Sequence, residues 1–139
     1  SSRVEFDSNT TVMMRNLPLS LTRDGLAELL AEEGFLDMVD FLYVPMHFAL
    51  PGNFGYAFVN VVDIWHAALF RGHFEGFIAR SDVGGESQIT LSWSIALQGL
   101  SENVEHYRNS KLMHPEVQDG FKPAVFGRGA RLAFPPPTK

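Results

Sequence analysis

The chain has 139 residues, of which 45% are apolar and 19% charged; that is enough for one good core and not the composition of a disordered chain. It has no cysteine, which removes disulfides and thiolate metal sites, and no run of about 18 apolar residues that would span a membrane. The net charge of −5 is unevenly held: residues 1–106 carry 5 basic and 14 acidic side chains, whereas residues 107–139 carry 6 basic and 2 acidic, so general nucleic-acid binding through charge is not expected of the body of the chain.

The amino terminus, residues 1–9, reads as an extension without the basic and then apolar pattern of a secretory signal. Its start at Ser1-Ser2, without methionine, suggests a piece of something longer. Thr10 to Leu17 is rich in β-formers at its start and is closed by Pro18. Thr22 is a plausible helix cap, with Asp24 in the first turn and Leu26, Leu29 and Leu30 forming an apolar stripe that should end at Gly34. Met38 to Met46 is the second expected strand, and Ala49-Leu50-Pro51-Gly52-Asn53 supplies turn chemistry.

The third strand is the most informative. In Asn53-Phe54-Gly55-Tyr56-Ala57-Phe58-Val59-Asn60-Val61, alternation puts Tyr56, Phe58 and Asn60 on one face and Gly55, Ala57, Val59 and Val61 on the other. An aliphatic face suits burial against helices, and adjacent rings on the opposite face suit stacking on flat ligands such as nucleobases. Asp63 can cap a second helix running to about Arg71. Arg80 to Ser87 reads as a loop, and Gln88 to Ser94 as a fourth strand with Ile89, Leu91 and Trp93 on one side. Leu97 to Ser110 is expected to be helical with Ser101 as cap. The tail that follows holds Pro123, Pro135, Pro136 and Pro137, the last three suited to an extended polyproline form. It also carries Leu112, Met113, Phe121, Val125, Phe126, Leu132 and Phe134, which suggests packing on the domain or on a partner.

The fold class expected is therefore α+β in the order βαββαβ: a four-stranded antiparallel sheet, ferredoxin-like, with two helices on one face and the other face free, plus a carboxyl-terminal helix and an extended tail. No repeat of 20 to 50 residues is present, so the chain is one unit.

The Gly55 to Val59 pattern resembles the longer RNP motif of the RNA recognition motif, and Val12-Met13-Met14-Arg15-Asn16-Leu17 resembles the shorter one at the expected separation upstream. Further segments narrow the resemblance to the carboxyl-terminal RNA recognition motif of the Mei-two-like family: Thr11 to Pro18, Asp40-Phe41-Leu42-Tyr43-Val44-Pro45, Gln98-Gly99, Asn109-Ser110-Lys111-Leu112-Met113 and Phe121-Lys122-Pro123-Ala124-Val125-Phe126. The resemblance covers residues 10 to 126. It implies a core at 10–97, a family-specific helix and extension at 98–126, a Pro-rich tail at 127–139, binding to RNA, and a nuclear or cytoplasmic setting. The chain departs from the motifs where Met13 replaces a usual aromatic and Phe54 a usual Lys or Arg.

The function these residues point to is a non-catalytic domain that binds single-stranded RNA on its open sheet face. Met13, Tyr56 and Phe58 are the base-contacting candidates, Tyr43 an extension of the platform, Arg15 and Asn60 the polar contacts, and Arg108 and Lys111 basic groups of the extension. Each has a plainer reading beside it: Tyr56 and Phe58 as support for a folded-back terminal segment, Tyr43 as cover for sheet surface, Arg15 as half of a surface ion pair, and the basic extension as a solvated tail. The alternative function is a protein-interaction or scaffold module of a ribonucleoprotein assembly, using the acidic face Glu28, Glu32 and Glu33 and the apolar tail. Peptide-binding relatives of this fold carry an Arg-x-Phe signature that Arg71-Gly72-His73 does not supply. The five histidines have no i, i+4 pair, so no metal is expected; no phosphate loop or nucleophile context suggests an enzyme, and no cofactor is expected.

Overall fold

The computed structural model describes residues 8–81 and 85–139. Most of the expected amino-terminal extension, and residues 82–84 of the expected 80–87 loop, lie outside them. The first strand, β1 (Thr11–Arg15), turns Val12 and Met14 into the core and Met13 and Arg15 to the opposite face. Helix α1 (Arg23–Glu32) begins where expected: Thr22 Oγ1 accepts the Gly25 N–H at 3.0 Å, and Leu26 and Leu30 are fully buried. A short turn leads to β2 (Val39–Tyr43), and the Ala49 to Asn53 turn to β3 (Tyr56–Val61). Helix α2 (Ile64–Phe74) is capped by Asp63, which accepts the His66 N–H at 2.8 Å. It runs one turn past Arg71 because Phe74 is needed in the core beside Phe70 and Phe35.

A small hairpin, β4 (Ile78–Arg80) with β5 (Glu86–Gln88), takes up both ends of the expected 80–87 loop as paired strand, and β6 (Thr90–Trp93) completes the core sheet. The βαββαβ order is then extended by the expected carboxyl-terminal helix, which takes the folded-back placement, and by a strand pair that the sequence reading lacked. Helix α3 (Gly99–Arg108) crosses the sheet face opposite α1 and α2, and β7 (Ala124–Gly127) with β8 (Ala130–Leu132) lengthens the sheet, giving the strand order β6-β1-β3-β2-β7-β8, antiparallel throughout. The expected four strands are the central part of six.

The reason for β7 is the bare edge of β2, whose unpaired backbone groups Phe41 and Leu42 lend to Val125 and Ala124. Alternation lets Ala124 and Phe126 join the helix-side core, while Val125 joins the opposite face with Phe41. The β7–β8 connection is a two-residue turn at Arg128-Gly129, both with positive φ, 52° and 80°, the backbone that tight hairpins require.

The start of α3 is fixed differently from expectation. Ser101 is inside the helix, and Gln98 stands at the cap position, with Glu102 accepting its N–H. The Gln98 side chain accepts from the Thr10 and Thr11 N–H groups at 2.9 Å each and donates to the Thr11 and Ser94 carbonyls at 2.9 Å each. Gly99 follows at φ 88°, a conformation costly for side-chain-bearing residues, and donates its N–H to Thr11 Oγ1. The Gln98-Gly99 pair thus pins α3 to the start of β1. Among the described residues no helix is long and apolar enough to cross a membrane.

Candidate nucleic-acid interface

Strand register decides which outward side chains meet. Met13 lies opposite Phe58, Arg15 opposite Tyr56, and Tyr43 opposite Phe58 on its other side, so Phe58 is the middle of a three-strand row. The Tyr56 and Phe58 rings meet edge to face at 5.7 Å, and the row continues through Phe54, 6.3 Å from Tyr56, to His47, 4.0 Å from Phe54. Met13, Tyr56 and Phe58 are partly exposed and Arg15 is exposed, with no hydrogen bond or ion pair from its guanidinium among the described residues.

The β2 side of the same face is covered. Tyr107 of α3 stacks on Phe41 at 5.9 Å and 25°, and meets Tyr43 edge-on at 5.0 Å. Phe41 is fully buried, and Val104, Val125 and Phe134 close the cluster around it. Burial, with the neighbouring hydroxyls of Tyr43 and Tyr56, pushes the Tyr107 phenol up to about 12; burial, then Tyr56, raises Tyr43 as well. These phenols stay neutral and serve as packing. The expectation of a free face is corrected accordingly: one half is roofed by α3 and the tail, and the half over β1 and the start of β3 is open. Tyr43 belongs to the roofed half.

Two other expected contacts are placed elsewhere. Asn60 is 2% exposed. Its Oδ1 accepts from the Thr10 and Thr11 hydroxyls at 2.8 and 2.7 Å, and its Nδ2 donates to Asp40 at 2.8 Å. Because its polar atoms are spent on fastening β1 to β2 across β3, Asn60 has none to offer a ligand; it sits beneath the α3 anchor. Desolvation raises the Asp40 carboxyl from its ordinary value, moderated by that Asn60 bond. Arg108 is drawn inward, donating to Glu105 Oε1 at 2.7 Å and to the Pro136 carbonyl at 2.9 Å, so it holds the tail along α3. Lys111 is exposed and unpaired among the described residues.

Phe54 and His47 are the residues that sequence reading missed. Counting back two from Tyr56 already puts Phe54 on the ring-bearing face, and its 49% exposure makes it a further stacking surface where a cation was looked for. Tyr107 could have been found from its spacing of three from Val104 on α3.

Comparison with known proteins is consistent with this architecture. The family model described as RNA recognition motif 2 matches residues 9–108. Protein MEI2-like 5 of Oryza sativa subsp. japonica is 32% identical over 111 residues, 79% of this chain and 13% of that protein. Protein MEI2-like 3 of Arabidopsis thaliana is 30% identical over 129 residues, 93% of this chain and 16% of that protein. The chain therefore spans a small fraction of the length of the curated relatives it matches. Among solved structures, the RNA15 RRM superposes with a TM-score of 0.52 at 17% identity, over 64% of this chain and 93% of that one. The Rna15 RRM with bound RNA (GU) gives 0.51 at 17%, over 69% and 94%. At such identity the likeness is one of fold.

Proposed function

This chain belongs to the RNA recognition motif 2 family, and from that premise we propose that it is a non-catalytic domain that binds single-stranded RNA by base stacking on the open half of its sheet. The observation that carries the reading is the row Met13, Phe58, Tyr56 and Phe54, aligned by strand register and left partly exposed beside a roof that covers the β2 side of that face. Stacking on rings is sequence-tolerant and needs unpaired bases. Met13 offers a polarisable thioether in place of one ring. Arg15 lies where a guanidinium reaches phosphate or base, and Lys111 adds a second cation; Tyr43, Asn60 and Arg108 are left out for the reasons of geometry given above. The solved complex of the Rna15 RRM with RNA lends support by fold.

The test is binding to a short random-sequence single strand and to a duplex of the same length over a range of salt. With Arg15 and Lys111 as the cations that meet phosphate, the slope of log affinity against log salt should be about −1.4, from about −0.7 for each phosphate on a single strand. The duplex should bind far more weakly. Equal binding of duplex, or a slope steeper than about −3, would mean that the basic extension tracks the backbone and that stacking is not the main contact.

A second reading, a protein-interaction module, is favoured by one observation. Trp65 and Leu69 lie one turn apart on α2 with 74% and 60% of their surface exposed, next to exposed Val62, and an apolar stripe of this kind commonly marks a docking face. Partners captured with the domain should then survive ribonuclease treatment and be lost on Trp65→Ser with Leu69→Ser, while RNA affinity stays at the wild-type value. Partners that vanish with ribonuclease would dismiss this reading.

A further inference from the structure

On the helix side of the sheet, away from the ring-bearing face, a groove of about 400 Å³ runs between α1 and β4, within the roughly 300–1,000 Å³ of small binding sites. Its floor is apolar, built from Leu21, Leu29 and Phe77, and its α1 wall carries Glu28 and Glu32. The consecutive residues 77–80 line it and none of β5 does, so it follows the edge of β4 that faces away from β5. That edge is open. The Ile89 N–H donates to the Phe77 carbonyl and the Ser81 N–H to the Gly85 carbonyl, and the register pairs Ala79 with Ser87. Hydrogen bonding in an antiparallel pair alternates, so residues 77, 79 and 81 turn their backbone groups towards β5, while Ile78 and Arg80 turn theirs towards the groove. Among the described residues nothing meets the N–H and C=O groups of Ile78 and Arg80.

An unpaired strand edge is a template for another extended segment. The wall decides which kind. Glu28 and Glu32 stand four residues apart on one face of α1, close enough to repel each other, and neither has a basic partner among the described residues. Arg80, the cation that lines the groove, is taken by Glu86 at 3.8 Å. A nucleic-acid strand would bring phosphates against two unpaired carboxylates, which excludes it here. A wholly apolar segment would leave those carboxylates unanswered. We propose that the groove binds an extended peptide of a partner protein in which lysine or arginine alternates with apolar residues. The peptide backbone adds to β4 as a third strand of the hairpin. Its apolar side chains settle on Leu21, Leu29 and Phe77, and its basic ones meet Glu28 and Glu32.

This site is independent of the RNA reading. The Tyr56 and Phe58 rings lie on the face that α3 crosses and the groove lies on the α1 side, so RNA and peptide can be held at once. Nor does the site use the Trp65 and Leu69 stripe of α2. Ile78, 44% exposed, stands beside the open edge, where an added strand would cover it.

The experiment is a titration of the protein with a short capped peptide of alternating lysine and valine, read by fluorescence anisotropy and by amide hydrogen exchange. Exchange at the Ile78 and Arg80 amides is expected to slow at saturation, because strand addition gives those N–H groups partners. Glu28→Gln combined with Glu32→Gln should weaken the peptide about twofold to thirtyfold, the loss of two exposed ion pairs. The variant's melt should match wild type, since both side chains are exposed. A peptide of alternating glutamate and valine should not bind, and saturating single-stranded RNA should leave the lysine peptide's affinity at its starting value. Failure of the lysine peptide to bind, unchanged exchange at Ile78 and Arg80, or wild-type affinity in the double glutamine variant would each overturn the site. Competition by RNA would overturn it too, by placing the peptide on the ring-bearing face. Protection of the two amides in the protein alone, growing with its concentration, would assign the edge to a second copy of this chain and so reject the peptide.

Discussion

Tyr56→Ala combined with Phe58→Leu should reduce affinity for single-stranded RNA roughly thirtyfold at the least and more than ten-thousandfold at the most. Each stacked base contributes about 1–3 kcal/mol by alanine substitution, so two rings amount to roughly 2–6 kcal/mol. Leucine is preferred at position 58 because Phe58 has a second duty, packing against the Phe41, Val104 and Val125 cluster under α3. An aliphatic side chain keeps that contact and removes only the flat surface. Tyr56 has no such duty towards the main core, which is built from Val12, Met14, Ala57, Val59 and their helix-side neighbours. The melting temperature of the double variant should thus stay within a few degrees of wild type. Gel shift or fluorescence anisotropy reads the affinity. Unchanged affinity with an intact melt would remove the stacking proposal outright.

What could be read from the sequence was whatever local spacing controls. The alternation in β3 placed Tyr56 and Phe58 opposite Ala57, Val59 and Val61, and the caps Thr22 and Asp63 announced α1 and α2, because each of these depends on neighbours within four residues. What escaped depends on partners far along the chain. Asn60 looked like a ligand contact because alternation puts it on the face that carries Tyr56 and Phe58; its actual partners, Thr10 and Thr11, are 50 and 49 residues away and are set by the β1–β3 register. The β7–β8 hairpin had a usable local signal in Arg128-Gly129, but its attachment to the β2 edge had none. Arg23, a charged residue in the first turn of α1, gave no hint that it is 1% exposed. Its burial is explained only by the segment that folds over it, about a hundred residues later.

That arginine is where the carboxyl-terminal extension is held, and Arg23→Met should be the most destabilising single substitution outside the apolar core. Nη1 donates to the carbonyl oxygens of Asp119 at 2.6 Å and Lys122 at 2.9 Å, and Nη2 to Asp119 Oδ2 at 2.7 Å and Asp24 Oδ1 at 2.8 Å. Lys122 is two residues from β7, so the guanidinium fixes where that strand meets β2. Removing one partner of a buried ion pair costs about 3–5 kcal/mol. The low end applies, since Asp24 and Asp119 are exposed and can be rehydrated; about 3 kcal/mol corresponds to a fall in melting temperature on the order of 10 °C. Amide exchange at Phe41 and Leu42 should quicken as β7 frays. The pH dependence identifies the cause. Hydrogen bonds from Arg131 and then Arg23 hold the Asp119 carboxyl well below its ordinary value of 3.8. A depressed acid stabilises the fold above its unfolded pKa and loses that contribution as pH falls towards its folded one. The melting temperatures of wild type and Arg23→Met should therefore run parallel from neutral pH to about pH 5 and converge below about pH 4. Curves that stay parallel into acid would show that Arg23 acts through the two carbonyls alone, and that the Asp119 carboxylate contributes nothing through it.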